Sequence, residues 1–155
     1  MPLVRIHEAA DLRLDWRIDA PRAQVWQCIT DPVLLSQWLG VLVEGSIEAG
    51  SAFVLDHGDE YYCRSAVLSY AEPHKLDFSW HFAQEPPSRV VFDLEESERT
   101  TELRLHHSAL GDLADPYVDG WCVHLSFLEA SALGTPLPAS MFWHLHGTMA
   151  HLRRR

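Results

Sequence analysis

The sequence is poor in basic residues and has no long hydrophobic run. Its 155 residues include 12 Lys and Arg against 22 Asp and Glu, giving a formal net charge of -10. Nucleic acids and anionic membranes favour basic surfaces, so this balance argues against both as partners. The triplet Arg153-Arg154-Arg155 is a local exception, and such a short basic run is expected to be a solvated tail. No apolar segment is long enough to span a bilayer.

Cysteine is also scarce, and the start of the chain does not resemble a signal peptide. The three cysteines, Cys28, Cys63 and Cys122, are far apart, and none belongs to a Cys-x-x-Cys pair. This favours reduced thiols over a disulfide framework. The N-terminus lacks a basic segment followed by an apolar one, so we expect a cytoplasmic protein. Cys28 and Cys122 are predicted to be buried helix residues.

The motifs of common catalytic and metal sites are missing. There is no glycine-rich phosphate loop or nucleophile elbow, and no spacing that forces two carboxylates onto one cleft. His107 and Ser108 are neighbours in a strand pattern, so their side chains diverge and do not form a dyad. In the tail, His144, His146 and His151 lack a zinc-ligand spacing. We therefore predict no metal and no cofactor.

What is present is a globular composition whose pattern is mostly that of strands. Hydrophobic residues make up 47% of the chain, which is enough for one domain with a substantial core. Loose alternation over residues 4–18 predicts a strand or bent strand, with a charged break at 8–11. Further along, short alternating runs separated by turn signals predict an antiparallel meander. Its six strands are predicted over residues 41–43, 52–55, 61–70, 75–82, 88–95 and 101–107.

One face of this sheet is predicted to be covered and the other to be wet. In the strand over 75–82, apolar and polar residues alternate, so the apolar side chains share one face. These apolar residues are Leu76, Phe78, Trp80 and Phe82, and the polar ones are Asp77, Ser79 and His81. Leu103 and Leu105 repeat the pattern, and His107 has their parity, which predicts that His107 points inward.

Two short helices are predicted between the first strand and the meander. Asp19 is a candidate cap for the first helix, with Pro21 in its first turn. The segment Thr30-Asp31-Pro32 repeats the cap-then-proline signal for the second, and Gly40 ends it.

A long apolar helix is predicted over residues 115–133. One stripe at helical period faces the sheet, and it consists of Trp121, Leu125, Leu128 and Ala132, with His124 beside it. A second apolar patch on the opposite side consists of Val123, Phe127 and Ala130. A helix that is apolar on two sides needs two partners, and the second is either the tail or another subunit in a homodimer. In the tail, Ser140 is a candidate cap for a helix with one apolar face, formed by Met141, Phe142, Leu145, Met149 and Leu152.

The motifs and their order resemble the START-like (SRPBCC) superfamily, in the branch related to the activator of Hsp90 ATPase. The motifs are Arg17-x-x-Ala20-Pro21, Val25-Trp26, Thr30-Asp31-Pro32, Trp38, Gly50-x-x-Phe53, Leu76-x-Phe78-x-Trp80, Leu103-x-x-x-His107-Ser108 and Gly120-Trp121 with Leu125 and Leu128. The resemblance implies an α+β helix-grip fold, in which a curved antiparallel sheet surrounds a long C-terminal helix. We expect a START-like domain over residues 1–135 and an apolar, helical extension over 136–155. The chain departs from the family pattern at Leu39, in the acidic loop over 111–119 and in its longer tail.

Aromatic residues are the candidate walls of a cavity between sheet and helix, because ligand pockets are mostly apolar. The candidate ligand-binding residues are Trp38, Phe53, Phe78, Trp80, Phe92, His107, Trp121, His124, Leu125 and Leu128, with Phe82 near them. Plain core packing is the alternative explanation for the aromatic set. Orientation of a ligand would come from His107, His124, Tyr62 or Arg64, and the last two leave the list if their strand face points outward.

The sequence therefore predicts binding of a small hydrophobic or aromatic molecule in this cavity. Two alternatives follow from the resemblance. One is a cyclase- or aromatase-like enzyme that uses His107 or His124 as an acid or base. The other is an interaction module for a protein partner, as the relationship to the Hsp90 activator suggests.

Overall fold

A computed structural model describes residues 3–8 and 11–155 of the chain, with side chains from residue 11 onward. The strands are β1 (Leu3–Glu8), β2 (Leu12–Ile18), β3 (Val41–Gly45), β4 (Ala52–Asp56), β5 (Tyr62–Ala71), β6 (Lys75–Phe82), β7 (Ser88–Ser97) and β8 (Thr100–Ser108). The helices are α1 (Arg22–Thr30), α2 (Pro32–Leu35), α3 (Ala114–Ala132) and α4 (Phe142–Arg153), with 3-10 turns at Gly111–Leu113 and Ala139–Met141. This is the predicted α+β helix-grip order.

The eight strands form one antiparallel sheet in the order β1-β2-β8-β7-β6-β5-β4-β3. All six strands of the predicted meander are present. The single bent strand predicted over 4–18 is instead a pair, β1 and β2, which lie antiparallel to each other. The charged break at 8–11 separates them, and residues 9 and 10 of it lie outside the described residues.

Strand alternation predicts the covered face of the sheet correctly. Leu76, Phe78, Trp80 and Phe82 are all buried, as are Leu103, Leu105 and His107. Asp77 was predicted to be wet, yet it is only 2% exposed. The reason is the facing side chain of Arg89, whose guanidinium donates to both carboxylate oxygens of Asp77 and covers it.

The two short helices have different starts. In α2, the side chain of Asp31 accepts hydrogen bonds from the backbone N–H groups of Val33 and Leu34, at 2.9 and 3.1 Å, as the sequence predicts. The predicted cap of α1 by Asp19 is wrong, because α1 begins at Arg22 with Pro21 as its N-cap and no side-chain cap. An Asp three residues before the first helical residue is too far away to reach the free N–H groups of the first turn.

The long helix α3 is buried on both of its apolar sides. Trp121, Leu125, Leu128 and Ala132 are at most 1% exposed and face the sheet and α1. The second patch is covered by α4 of the same chain, where Phe142 packs edge-on to Phe127 with ring centroids 5.7 Å apart. Ser140 is not the predicted cap of α4, because it lies in the preceding 3-10 turn and α4 starts after Met141 without a side-chain cap.

The C-terminal end of α4 is attached to α3 by charge. Arg153 donates to the buried carboxylate of Asp119 at 2.7 Å and to Asp115 at 2.6 Å. The prediction of a solvated basic tail is therefore wrong for Arg153, although Arg154 and Arg155 are exposed. Without Arg153, the buried carboxylate of Asp119 would lack this charged partner, which would cost stability. This explains why Arg153 turns inward.

All three cysteines are buried, and none of them forms a disulfide with another. Within the described ranges, no helix is long and apolar enough to cross a membrane.

Candidate ligand-binding cavity

A cavity of about 800 Å³ lies at one end of the covered sheet face. Its walls come from the segment that follows α2, the turn between β4 and β5, the end of β6, the first half of α3 and the beginning of α4. Gly40 allows the first two walls to meet, because a Cβ on this residue would lie 2.9 Å from the backbone oxygen of Asp56. The sequence did not predict that α4 would form a wall.

Three of the four tryptophans in the cavity wall come from three separate elements, and the fourth is Trp143 at the start of α4. Trp38 follows α2, Trp80 lies on β6 and Trp121 lies on α3, and all three line the cavity. The rings of Trp80 and Trp121 are in contact, with centroids 5.3 Å apart. Together with His124, these are the four predicted binding residues that the structure brings to the cavity.

The other predicted binding residues lie in the packed core behind this wall. Phe53, Phe78 and Phe92 pack against one another, with centroids 5.6 Å apart for Phe53 and Phe78 and 5.7 Å apart for Phe78 and Phe92. They surround only a void of about 10 Å³, which is near the volume of a single water probe. Leu125 and Leu128 are fully buried and do not line the cavity either.

His107 points inward as predicted, but its ring is enclosed by protein. The indole N–H of Trp121 donates to Nδ1 of His107 at 3.0 Å, and Nε2 lies 2.8 Å from Oγ of Ser88. Because an indole only donates, His107 carries its proton on Nε2 and gives it to Ser88, which in turn donates to the carbonyl of Trp80. Burial lowers the pKa of His107 to about 3. The residue is a fully bonded core histidine, so the prediction that it acts on a ligand is wrong.

His124 keeps one ring nitrogen available to the cavity. Its Nδ1 lies 2.7 Å from the carbonyl oxygen of Trp38, so Nδ1 carries the proton and donates it. Nε2, on the other side of the ring, has no hydrogen-bond partner within the described part of the chain. Burial lowers the pKa of His124 to about 4, which keeps the ring neutral and leaves Nε2 as an acceptor.

His57, which lies in the turn between β4 and β5 and lines the cavity, was not among the predicted binding residues. Its ring is 6.0 Å from that of His124, measured between centroids. Its Nε2 atom is buried without a hydrogen-bond partner. Burial, and next the proximity of His124, lowers the pKa of His57 to about 3. The turn is tight, because Asp56 accepts a hydrogen bond from the N–H of Gly58 at 2.8 Å and Gly58 has a φ of 108°.

A hydrogen-bonded chain of polar groups lies in the cavity wall next to His57, whose ring centroid is 5.3 Å from that of Trp80. The indole N–H of Trp80 donates to the hydroxyl of Tyr117 at 2.9 Å, and this hydroxyl donates to the carboxylate of Glu85. Burial and the hydrogen bond to Glu85 raise the pKa of Tyr117, so the phenol stays protonated. Helical spacing could have found Tyr117, since it lies one turn before Trp121 on α3.

Tyr62 and Arg64 leave the set of candidate residues. Both lie on the outward face of β5, where Tyr62 is 40% exposed. Arg64 is 4.0 Å from Glu44 on that outer face. Among the residues that the structure describes, no group of three His, Cys, Asp or Glu side chains could hold a metal ion.

The sequence profile described as Activator of Hsp90 ATPase homolog 1-like protein matches residues 19–131. The chain belongs to this family. The match to this Hsp90-activator-like family ends before α4, so Phe142, Trp143 and His146, which line the cavity, come from outside the matched residues. The cavity of this family member is thus completed by its C-terminal extension.

Solved structures with the same fold include a protein of a biosynthetic locus. The crystal structure of CalU16 from Micromonospora echinospora has a TM-score of 0.76 at 26% identity, over 92% of this chain and 84% of CalU16. DynU16, a protein in the dynemicin biosynthetic locus, has a TM-score of 0.75 at 25% identity, over 83% of this chain and 49% of DynU16. The protein of gene BPP1335 from Bordetella parapertussis shares the fold at 24% identity, with a TM-score of 0.73, over 96% of this chain and 87% of that protein. No curated protein matches the sequence.

Proposed function

We propose that the cavity binds a small hydrophobic, aromatic molecule. The observation that carries this proposal is the volume of about 800 Å³ lined by Trp38, Trp80 and Trp121. Small-molecule sites have volumes of roughly 300–1,000 Å³ and mostly apolar walls with a few polar groups. The similarity to DynU16, a protein in the dynemicin biosynthetic locus, supports a role that involves small molecules.

Affinity would come mainly from the apolar surface that the ligand buries. Each Å² removed from water contributes about 25 cal/mol before the costs of ordering are subtracted. Planar ligands suit this site because aromatic side chains, among them the 73% exposed Trp143, line it. Orientation would come from the polar groups in the wall, namely His124 and the carboxylate of Glu85.

Filling the cavity from α3 tests the proposal. Gly120 lines the cavity, and a Cβ added there would have no atom within 4 Å. Gly120→Trp should therefore place an indole in the cavity while keeping the helix intact. Gly147→Trp is the matched control, because Gly147 also lies in a helix with open space around its Cβ and does not line the cavity.

The readout is the fluorescence of the neutral dye Nile red, titrated with the full chain. We expect saturable binding at one site to the unmodified protein and to Gly147→Trp. Affinity should fall at least about tenfold in Gly120→Trp, since the indole competes for the same apolar volume. Absence of saturable binding, or equal affinity in both variants, would contradict the proposal. If the Nile red result supports the proposal, gentle purification followed by native mass spectrometry would identify a natural ligand.

A cyclase- or aromatase-like activity is the second candidate. It is favoured by one observation, that His124, with its unpartnered Nε2, and Tyr117, with its hydroxyl, line the same cavity. A pKa of about 4 makes His124 a weak base at neutral pH, because proton transfer is most effective when the pKa is near the working pH. Binding therefore has more support than catalysis.

Two partner predictions concern surfaces outside the cavity. A homodimer through the C-terminal segment remains a prediction, with Met141, Trp143 and Leu152 as the exposed apolar residues that would form it. Phe142 and Leu145 are already packed against the core of their own chain. A protein partner of the kind suggested by the family description also remains a prediction.

A further inference from the structure

The charged groups around the cavity all have the same sign. Asp56, Asp59 and Glu85 line it, and none of the described lining residues is Lys or Arg. Ion pairs occur elsewhere in the described part of the chain, but none involves these three carboxylates. Their negative charge is therefore not compensated by a neighbouring cationic side chain, and it acts on the contents of the cavity.

Three of the four tryptophans that line the cavity have their hydrogen-bond donors bonded within the protein. Trp38 donates its indole N–H to the carbonyl of Cys28 at 2.7 Å. Trp80 donates to Tyr117 at 2.9 Å, and Trp121 donates to His107 at 3.0 Å. The fourth, Trp143, is 73% exposed, and the face of an exposed indole carries partial negative charge.

Acceptors remain free in the wall beside the three carboxylates. His124 offers Nε2, because its Nδ1–H is bonded to Trp38. One oxygen of Glu85 accepts a hydrogen bond from the Tyr117 hydroxyl, and the other has no partner among the described residues. Nε2 of His57 is also unpartnered. Neutral donors remain in the side-chain amide of Gln37, the indole N–H of Trp143 and hydroxyls such as that of Tyr61. Because the charged groups among these are all carboxylates, the cavity is complementary to a ligand that supplies both donors and positive charge.

We propose that the preferred ligand is a hydrophobic molecule carrying a protonated amine, held by cation–π contact with the tryptophans and by charge-assisted hydrogen bonds to Glu85 and His124. This inference rests on the proposed function, because it specifies the class of ligand for the same cavity. A protonated amine has N–H donors for the free acceptors, and its charge is opposite to that of the three carboxylates that line the cavity, which we call the rim. An anionic ligand of the same size would meet three carboxylates without a counter-ion.

Three naphthalene probes of nearly equal size test the preference. 2-Naphthylmethylamine is cationic at neutral pH, 2-naphthylmethanol is neutral, and 2-naphthoate is anionic. Binding to the full chain is measured by isothermal titration calorimetry at low ionic strength. We expect the amine to bind about tenfold more tightly than the alcohol, and the carboxylate to bind most weakly. Added salt should weaken the amine most, since its attraction to the rim carboxylates is screened.

Charge-neutral variants locate the effect. Glu85→Gln keeps an oxygen for the Tyr117 hydroxyl while it removes the charge, so the amine should lose most of its tenfold advantage and the alcohol should bind as before. Glu98→Gln is the matched control, because Glu98 lies in the turn at the other end of β7 and does not line the cavity. It should leave the affinities of all three probes unchanged.

The outcomes separate this inference from the proposed function. Equal binding of amine and alcohol, or tighter binding of the carboxylate, would overturn the inference while Nile red binding still supported the cavity. Amine binding that persists in Gly120→Trp would also overturn it, because the charge would then act at the outer surface. If no naphthalene probe binds, the inference fails, and the Nile red experiment decides separately whether the cavity binds ligands.

Discussion

The covered face of the sheet has a closed half and an open half, although both are built from the same kind of residue. On β6, Phe78 belongs to the closed half, where it packs against Phe92 around a void of about 10 Å³. Two residues later, Trp80 belongs to the open half and lines about 800 Å³ of space. The strand and its alternation are identical for the two residues. The two residues differ in the helices that surround the space beside them. Residues of α1 and α2 surround the small void beside Phe78, whereas residues of α3 and α4 line the large cavity beside Trp80.

Two histidines show the same contrast in hydrogen bonding. Both ring nitrogens of His107, which lies behind the cavity wall, are bonded, one to Trp121 and the other to Ser88. His124, which lies in the wall itself, bonds through Nδ1 only. The two also differ in burial, since His107 is fully buried and His124 is partly exposed. A histidine becomes available to a ligand when the protein satisfies one ring nitrogen and leaves the other without a partner.

The largest expected effect comes from truncating a ring in each half. Phe92 is fully buried, so Phe92→Ala should lower the free energy of unfolding by about 3–5 kcal/mol through lost burial and a new cavity. Phe142 is only partly buried at the edge of the existing cavity, so Phe142→Ala should cost about 1–2 kcal/mol. Urea unfolding of both variants measures the difference. Equal losses would mean that the open half is packed as tightly as the core.

A second prediction concerns acid stability and His107. Its folded pKa of about 3 is below the ordinary value of 6.5, so between these values the unfolded chain binds a proton that the folded protein excludes. Stability is therefore fully present above pH 6.5 and falls as the pH decreases towards 3. His107→Phe removes the group that binds this proton in the unfolded chain. It should therefore reduce the slope of the free energy of unfolding against pH by about 1.4 kcal/mol per pH unit over that window.

Urea unfolding at several pH values between 4 and 7 gives this slope. At neutral pH, His107→Phe should itself cost about 1–3 kcal/mol, because it leaves the Trp121 N–H and the Ser88 hydroxyl with one partner fewer. His144→Gln, at an exposed position on α4, is the matched control and should keep the slope of the unmodified protein. A slope that does not change in His107→Phe would show that this ring is protonated in the folded state.

The smallest expected effect compares Asp31 and Asp19, two Asp residues that each lie close to a proline in the sequence. Asp31 caps α2, the helix that leads into the cavity wall, so Asp31→Ala should cost about 1 kcal/mol. Asp19 caps no helix and only accepts a long hydrogen bond of 3.4 Å from Thr100, so Asp19→Ala should cost less than about 0.5 kcal/mol. Thermal unfolding of both variants would detect this difference, and equal losses would mean that Asp31 does not act as a cap.

Much of the fold follows from local patterns in the sequence. Alternation determines which side chains of β6 and β8 face inward, because successive residues of a strand point to opposite sides. The two apolar sides of α3 predict two packing partners, and the sheet and α4 are those partners. The errors are also local. Asp19 resembles a cap by residue type but is misplaced by position, and Asp77 is on the outer face yet is covered by Arg89 across the strands.

The cavity could be predicted only in part. Trp38, Trp80, Trp121 and His124 were identified because aromatic residues and a histidine fall on inward positions. Phe53, Phe78 and Phe92 satisfy the same criterion but fill the core. His57 belongs to a turn, where no periodicity indicates which way a side chain points. The contribution of α4 depends on the path of the chain after Gly134, which no pattern specified.

The sequence by itself determined the elements, the inward face of each strand and the family, since these depend on periodicity and on motifs in order. Only the tertiary structure decided which inward residues line an open cavity and which are core, and whether a buried polar group has a free atom. These properties depend on the groups that each side chain meets from distant parts of the chain. The indole N–H groups of Trp38, Trp80 and Trp121 illustrate the point, because their partners, 10 to 37 residues away, make these donors unavailable to a ligand.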